Sequence, residues 1–174
     1  MMVSMTSVDW QAVVVDLLNT TPVVDGVGMD VLADDAAARA WLRAHGGGRD
    51  LGAPADLADL RRVRDDLQRV AWGECAAEEL NAYVSGVRQV PLIDAHGVTW
   101  ALDAVSWPAR VVLAWGAIQS EAPGRLRPCA NDECRLFLLD RSRGGTARWC
   151  SMSGCGNRMK ARRHYQRGAG KSTH

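Results

Sequence analysis

Nowhere in its 174 residues does the chain approach the ~18 uninterrupted apolar residues that a membrane span requires, so no transmembrane segment is expected. Met1 to Trp10 lack the basic start, apolar run and small-residue cleavage site of a secretory signal. The expectation is a cytoplasmic protein, nucleoid-associated if it binds DNA. Thiols stay reduced in that compartment, and clustered cysteines there serve metal binding rather than disulfides. Internal repeats and long low-complexity stretches are absent. So are a glycine-rich phosphate loop, an HExxH helix, a G-x-S-x-G elbow and the zinc-deaminase pattern, and no enzymatic activity is expected. Lysine is scarce, with only Lys160 and Lys171 among 21 basic residues. Base composition of the coding sequence accounts for arginine over lysine, but not for where the basic residues sit.

What the chain does contain is a globular composition, 47 % apolar and 24 % charged, in a length suited to one domain or to one domain with a small appendage. The formal net charge of +1 conceals a polarity. Residues 125–174 hold twelve Arg and Lys against three acids, a net of +9, whereas the residues before them hold nine basic against seventeen acidic, a net of −8. An acidic body joined to a basic tail implies two modules with different partners, the tail's being polyanionic.

Apolar periodicity predicts a mainly α body with a small β-hairpin. Ser7 or Asp9 caps a helix through Trp10, Val14, Leu17 and Leu18 to Asn19, stopped by Thr20, Thr21 and Pro22. Asp25 to Asp30 reads as a loop. A second helix starts at Asp34 or Asp35, buries Ala38, Trp41 and Leu42, and ends at the glycines 46 to 48. A third starts at Pro54 and carries Leu57, Leu60, Val63, Leu67 and Val70 as a buried stripe. After Gly73, Ala76 to Val84 forms a shorter helix with Leu80 and Tyr83 inward. Val90 to Leu102 reads as a hairpin around Asp94-Ala95-His96-Gly97, and Ser106 and Pro108 open a last body helix reaching about Gln119. The six tryptophans before residue 125 serve core and interfaces, most of them on helical stripes. These patterns divide the chain into a body of residues 1–120, a linker of 121–126 and a tail of 127–174.

Four of the five cysteines follow C-x4-C-x15-C-x4-C: Cys129, Cys134, Cys150 and Cys155. Each short span brings two thiolates to one metal and the loop lets the pairs converge, so one structural zinc ion is expected. Cys75 stands apart and reads as a small semi-buried hydrophobe. Within the tail, Arg135 to Leu139 reads as a strand, Gly144-Gly145 as a turn, Ala147 to Cys150 as a returning strand and Asn157 to Arg167 as a helix. Knuckle, hairpin and helix is the plan of a treble-clef zinc module. Phe137, Leu139 and Trp149 give it a core too small to stand without metal.

Trp149-Cys150-Ser151-Met152 followed by Cys155-Gly156-Asn157-Arg158 resembles the CGNR zinc finger, and Phe137 and Asp140-Arg141-Ser142 fit the same pattern. In that family the finger follows an ABATE domain, whose opening motif Val15-Asp16-Leu17-Leu18-Asn19-Thr20 resembles. The resemblance implies a bacterial, stress-induced transcription regulator. Double-stranded DNA is then the expected partner.

On the terminal helix, Lys160, Arg163, His164 and Arg167 share one face and Arg158, Arg162 and Tyr165 a neighbouring stripe. The expected DNA contacts are Asn157, Arg158, Lys160, Arg162, Arg163 and Arg167, assisted by Arg141, Arg143 and Arg148. Two other roles compete: a solvated basic helix, or, for Arg158, a cation beside the thiolates, which leave zinc with a formal charge of about −2. The competing function is a zinc-stabilised protein-interaction module without direct DNA contact. His164 and His174 are not needed as ligands, and His96 reads as an exposed turn residue. Asp16 and Asn19 are explained by helix polarity and an end cap, or else line a ligand pocket. The body is expected to sense a small-molecule effector or to assemble, and tight DNA binding by so small a finger favours a homodimer on two half-sites.

Overall fold

A computed structural model describes residues 8–24, 26–46, 53–103 and 105–169, in which six helices and three two-stranded hairpins form. The first helix, α1 (Trp10–Leu18), is capped by Asp9, whose Oδ1 accepts from the amides of Gln11 and Ala12 at 3.1 Å each. Ser7, the other candidate cap, lies outside the described residues. α1 buries Val13, Val14, Leu17 and Leu18. The next segment, expected as a loop, carries a minimal ladder in which β1 (Val23–Val24) pairs with β2 (Val27–Gly28).

Asp34 caps α2 (Asp35–Ala44), which buries Ala38, Trp41 and Leu42. Pro54 opens α3 (Pro54–Trp72), and Gly73, at φ 74°, turns the chain out of the helix with the left-handed geometry that glycine adopts freely. Of the expected stripe, Leu57, Leu60, Val63 and Leu67 are buried, while Val70, near the end of the helix, is only half-buried. Arg64 joins it, 4 % exposed, because its guanidinium is claimed on three sides: by Asp30 at 2.6 Å, Asp65 at 2.8 Å and the Thr20 hydroxyl at 3.4 Å. A buried arginine on an apolar stripe needs such pairing, and here it ties α3 to the loop after β2.

The short helix expected over Ala76 to Val84 divides into a 3₁₀ turn, Ala77–Leu80, and a single α turn, α4 (Asn81–Val84). The expected hairpin forms and is longer than its apolar residues indicated: β3 (Arg88–Asp94) pairs antiparallel with β4 (Gly97–Asp103) around Ala95-His96. Ser106 caps α5 (Trp107–Glu121), which packs on α1 and α3. Trp10, Trp41 and Trp107 meet edge to face at centroid distances of 6.2 and 5.7 Å and close one end of the helical core.

That core does not stop where composition changes. Four residues after α5, β5 (Leu126–Pro128) pairs with β6 (Phe137–Leu139), and Leu126 and Phe137 are buried in the same cluster as the body's leucines. Phe137 meets Trp72 edge to face at 5.5 Å. The Asn19 side chain receives the Phe137 amide at 2.7 Å and donates to its carbonyl at 3.2 Å, so the C-terminal cap of α1 also clamps β6.

The returning strand expected over Ala147 to Cys150 does not form. β6 takes β5 as its partner, and 140–147 is held as a loop by Arg127 and Asp140. Arg127 donates to Asp140 Oδ2 at 2.6 Å and to the carbonyls of Gly145 and Ala147 at 3.0 and 2.6 Å. Asp140, its side chain fully buried, accepts from the amides of Ser142 and Ala147 at 2.9 and 3.0 Å. The Ser142 hydroxyl, these amides and Arg127 outweigh its burial and hold the carboxyl down at about 2. Gly145 sits at φ 64°, a left-handed conformation that favours glycine, with the Arg125 guanidinium close above it.

Candidate metal centre

Cys129 follows β5, Cys134 closes the knuckle, Cys150 lies on the long loop and Cys155 on a π-helical turn, Met152–Gly156, that leads into α6 (Asn157–Ala169). Their sulfurs lie within 4.8 Å of one another, with Cys134–Cys150 and Cys150–Cys155 both at 3.7 Å. Four sulfurs around zinc at ~2.3 Å form a tetrahedron with edges of ~3.8 Å, so the spacing is that of thiolates facing a common ion and far exceeds the ~2.05 Å of a disulfide. The four cysteines form a zinc-binding site. Four thiolates complete the coordination of a structural ion and leave no position open.

Donors are arranged around the sulfurs. The amide of Leu136 points at Cys134 Sγ (3.5 Å), that of Cys150 at Cys129 Sγ (3.4 Å), and the Asn131 side-chain amide at Cys155 Sγ (3.4 Å). They disperse the negative charge that four thiolates bring. Without metal, burial pushes the Cys134 thiol up to about 11 and the Cys150 thiol higher still. Burial also opposes the Cys155 thiolate, but the Asn131 hydrogen bond and the neighbouring thiols outweigh it and bring its pKa below the usual thiol value.

Asn131 escaped the reading of the sequence. It is 1 % exposed and organises the knuckle, its backbone carbonyl receiving the Cys134 amide at 2.8 Å and its Oδ1 the Glu133 amide at 3.4 Å. A turn-forming asparagine inside C-x4-C was the available signal. Asn131 stands beside the thiolates as a neutral donor, and Arg158 is exposed. Among the described residues, neither His164 nor Cys75 belongs to the cysteine cluster; His174 lies outside them.

Residues 125–168 match the CGNR zinc finger, and residues 11–132 match ABATE, a family described as "putative stress-induced transcription regulator". The chain belongs to the ABATE family. No curated protein matches it. In this ABATE chain the two matches overlap over 125–132, the segment containing β5, Cys129 and Asn131, where the helical core and the metal site share backbone. Within the ABATE opening motif, Asn19 clamps Phe137, and the exposed Asp16 carboxylate lies 3.3 Å from His45 Nε2. In the finger's tetrapeptide, Cys155 is a ligand, Gly156 passes beneath Met152 and Trp149, and Asn157 donates to the Ser153 carbonyl at 3.4 Å.

The ABATE chain spends several of its tail's cations internally. Arg125 and Arg127 serve the Asp140 loop, Arg135 lies over Trp72 at 5.9 Å, and Arg148 lies over Trp149 at 5.2 Å. Arg141 is 3.8 Å from Asp9, and Arg162 pairs with Glu133 at 3.1 Å, a link from α6 back to the knuckle. Arg143, Arg158, Lys160 and Arg163 are exposed and have no acidic partner among the described residues. The Arg167 side chain lies outside them. No helix among the described residues is long and apolar enough to cross a membrane.

Proposed function

We propose that the chain is a non-catalytic transcription regulator that grips double-stranded DNA through α6, with the zinc site as its rigid mount. The observation that carries this reading is the exposure of α6. Arg158, Lys160 and Arg163 stand in solvent on a helix that begins two residues after the ligand Cys155. Guanidinium and ammonium groups on a helix held at one end suit phosphate contacts, or a major groove where arginine reads guanine edges. The acidic body then stays off the duplex and serves sensing or assembly. Arg125 and Arg127 are committed to the Asp140 loop, whereas Arg141 and Arg162 hold only exposed ion pairs that phosphates can replace, so both stay candidates for DNA contact beside Arg143.

The test is fluorescence anisotropy of the full-length, zinc-loaded protein with duplex DNA at several salt concentrations. Each phosphate contact contributes about 0.9 to the slope of log K against log salt, so replacing Arg158, Lys160 and Arg163 together by alanine should lower the slope by about 2.7. All three are exposed, and zinc content and helical signal should stay at wild-type values. Unchanged affinity and slope in the triple variant, or a wild type that ignores duplex DNA, overturns the reading and favours a zinc-stabilised protein-interaction module.

A further inference from the structure

Seven residue pairs join β3 to β4, yet among the described residues neither strand packs on another helix or strand beyond a marginal touch. A two-stranded hairpin on its own is marginally stable in water, so one of this length needs more cover than the described residues give it. Cross-strand neighbours share a face. Val90↔Ala101 and Leu92↔Thr99 lie on one side, where Val90 and Ala101 are half-buried. Gln89↔Leu102, Pro91↔Trp100 and Ile93↔Val98 lie on the other. That side is an apolar strip in solvent: Leu102 is 46 % exposed, Val98 59 %, Trp100 64 % and Ile93 83 %, with Pro91 exposed among them. An antiparallel sheet ordinarily packs its apolar face, and a contiguous exposed strip marks a binding surface.

We propose that this strip is the interface of a homodimer, packed face to face against the same strip of a second copy. The strip carries no charged side chain, so it meets the same strip of a second copy without electrostatic conflict or a stranded charge. Area is sufficient: if the five apolar side chains lose ~100 Å² apiece, two copies bury about 1,000 Å², the lower bound of a specific interface, before Gln89 and the flanking backbone are counted. Edge-to-edge extension is the poorer route on the β3 side. The two-residue turn closes on a hydrogen-bonded Asp94–Gly97 pair, which points the amide positions of residues 89, 91 and 93 outward, and Pro91 has no N–H to offer there. Packing of faces is also what covers Ile93 and Trp100. Dimerisation sets two fingers about a twofold axis.

Sedimentation velocity of the full-length, zinc-loaded protein across micromolar concentrations is the test. The wild type should sediment at twice the chain mass. Trp100→Glu and Ile93→Glu, each placing like charges in the interface, should raise the dimer dissociation constant about 100-fold or more while leaving zinc content and helical signal intact. Leu92→Glu, on the opposite face, should leave the dimer standing. A monomeric wild type overturns the proposal, as does a dimer indifferent to Trp100→Glu and Ile93→Glu, or one that Leu92→Glu dissociates equally. DNA binding is judged separately: a dimer that ignores DNA leaves this inference intact, and a monomer that binds DNA refutes it alone.

Discussion

Truncating Phe137 to alanine tests whether finger and body fold as one unit. The ring is 1 % exposed, stands edge to face with Trp72 at 5.5 Å, and joins the cluster built by α1, α3 and α5. Removing a buried phenylalanine side chain costs about 3–5 kcal/mol in transfer and cavity terms. For a chain of this length 1 kcal/mol moves the melting temperature by roughly 2–4 °C, so a drop of roughly 6–20 °C is expected. The Asn19 clamp holds backbone atoms and survives the substitution, which keeps β6 in place and confines the loss to the ring. Differential scanning calorimetry of the zinc-loaded protein, with zinc release followed by a metal-responsive dye, should show one coincident transition in the wild type. The variant should melt earlier, again with body and finger together. A shift below about 2 °C, or a wild type in which zinc release and helix melting separate widely, refutes the shared core.

Metal analysis should find one zinc per chain. Binding to the reduced apo-protein at pH 8 should release at least two protons, because Cys134 at about 11 and Cys150 above it are protonated there. Apparent zinc affinity should therefore rise with pH by at least ~100-fold per unit below pH 8, and titration calorimetry in two buffers of different ionisation enthalpy that shows no buffer dependence counts against this. Asp140→Asn should lower the melting temperature at neutral pH by leaving Arg127 without its counter-charge. The wild-type carboxyl titrates at about 2 when folded and near 3.8 when unfolded, so its contribution is complete above about pH 4 and lost as pH falls to 2. An equal acid limb in the variant, measured with zinc content in parallel, would assign that loss to the thiolates instead. Arg64→Met should cost about 1 kcal/mol in chemical denaturation, because Asp30 and Asp65 remain partly solvated once their buried partner is gone, and a loss above about 3 kcal/mol would refute that.

Much of the metal centre was legible before any coordinates. Ligands bunched in two short spans are brought together by the chain itself, and C-x4-C twice over admits few other uses among reduced thiols. Helices declare themselves for a similarly local reason. Asp9, Asp34 and Ser106 cap and Gly73 terminates through groups within a few residues, and the apolar stripe of α3 is a period of the α-helix. The returning strand over Ala147 to Cys150 failed because strand pairing is not local: β6 accepts β5, and Arg127 engages the carbonyls of the loop that a second pairing would have needed.

The sequence by itself determined the helical body, the four zinc ligands and the opposed charges of the two ends, since each rests on spacing or composition along one stretch of chain. Tertiary structure alone decided the rest. It gave Asn131 to Cys155, Asn19 to Phe137, Arg64 to Asp30 and Arg162 to Glu133, pairs that are 24, 118, 34 and 29 residues apart, whose worth lies in who meets whom. It also left Trp100 and Ile93 in solvent, where alternation along a strand cannot distinguish a face turned to the chain's own core from one turned to another molecule, because both call for the same apolar residues.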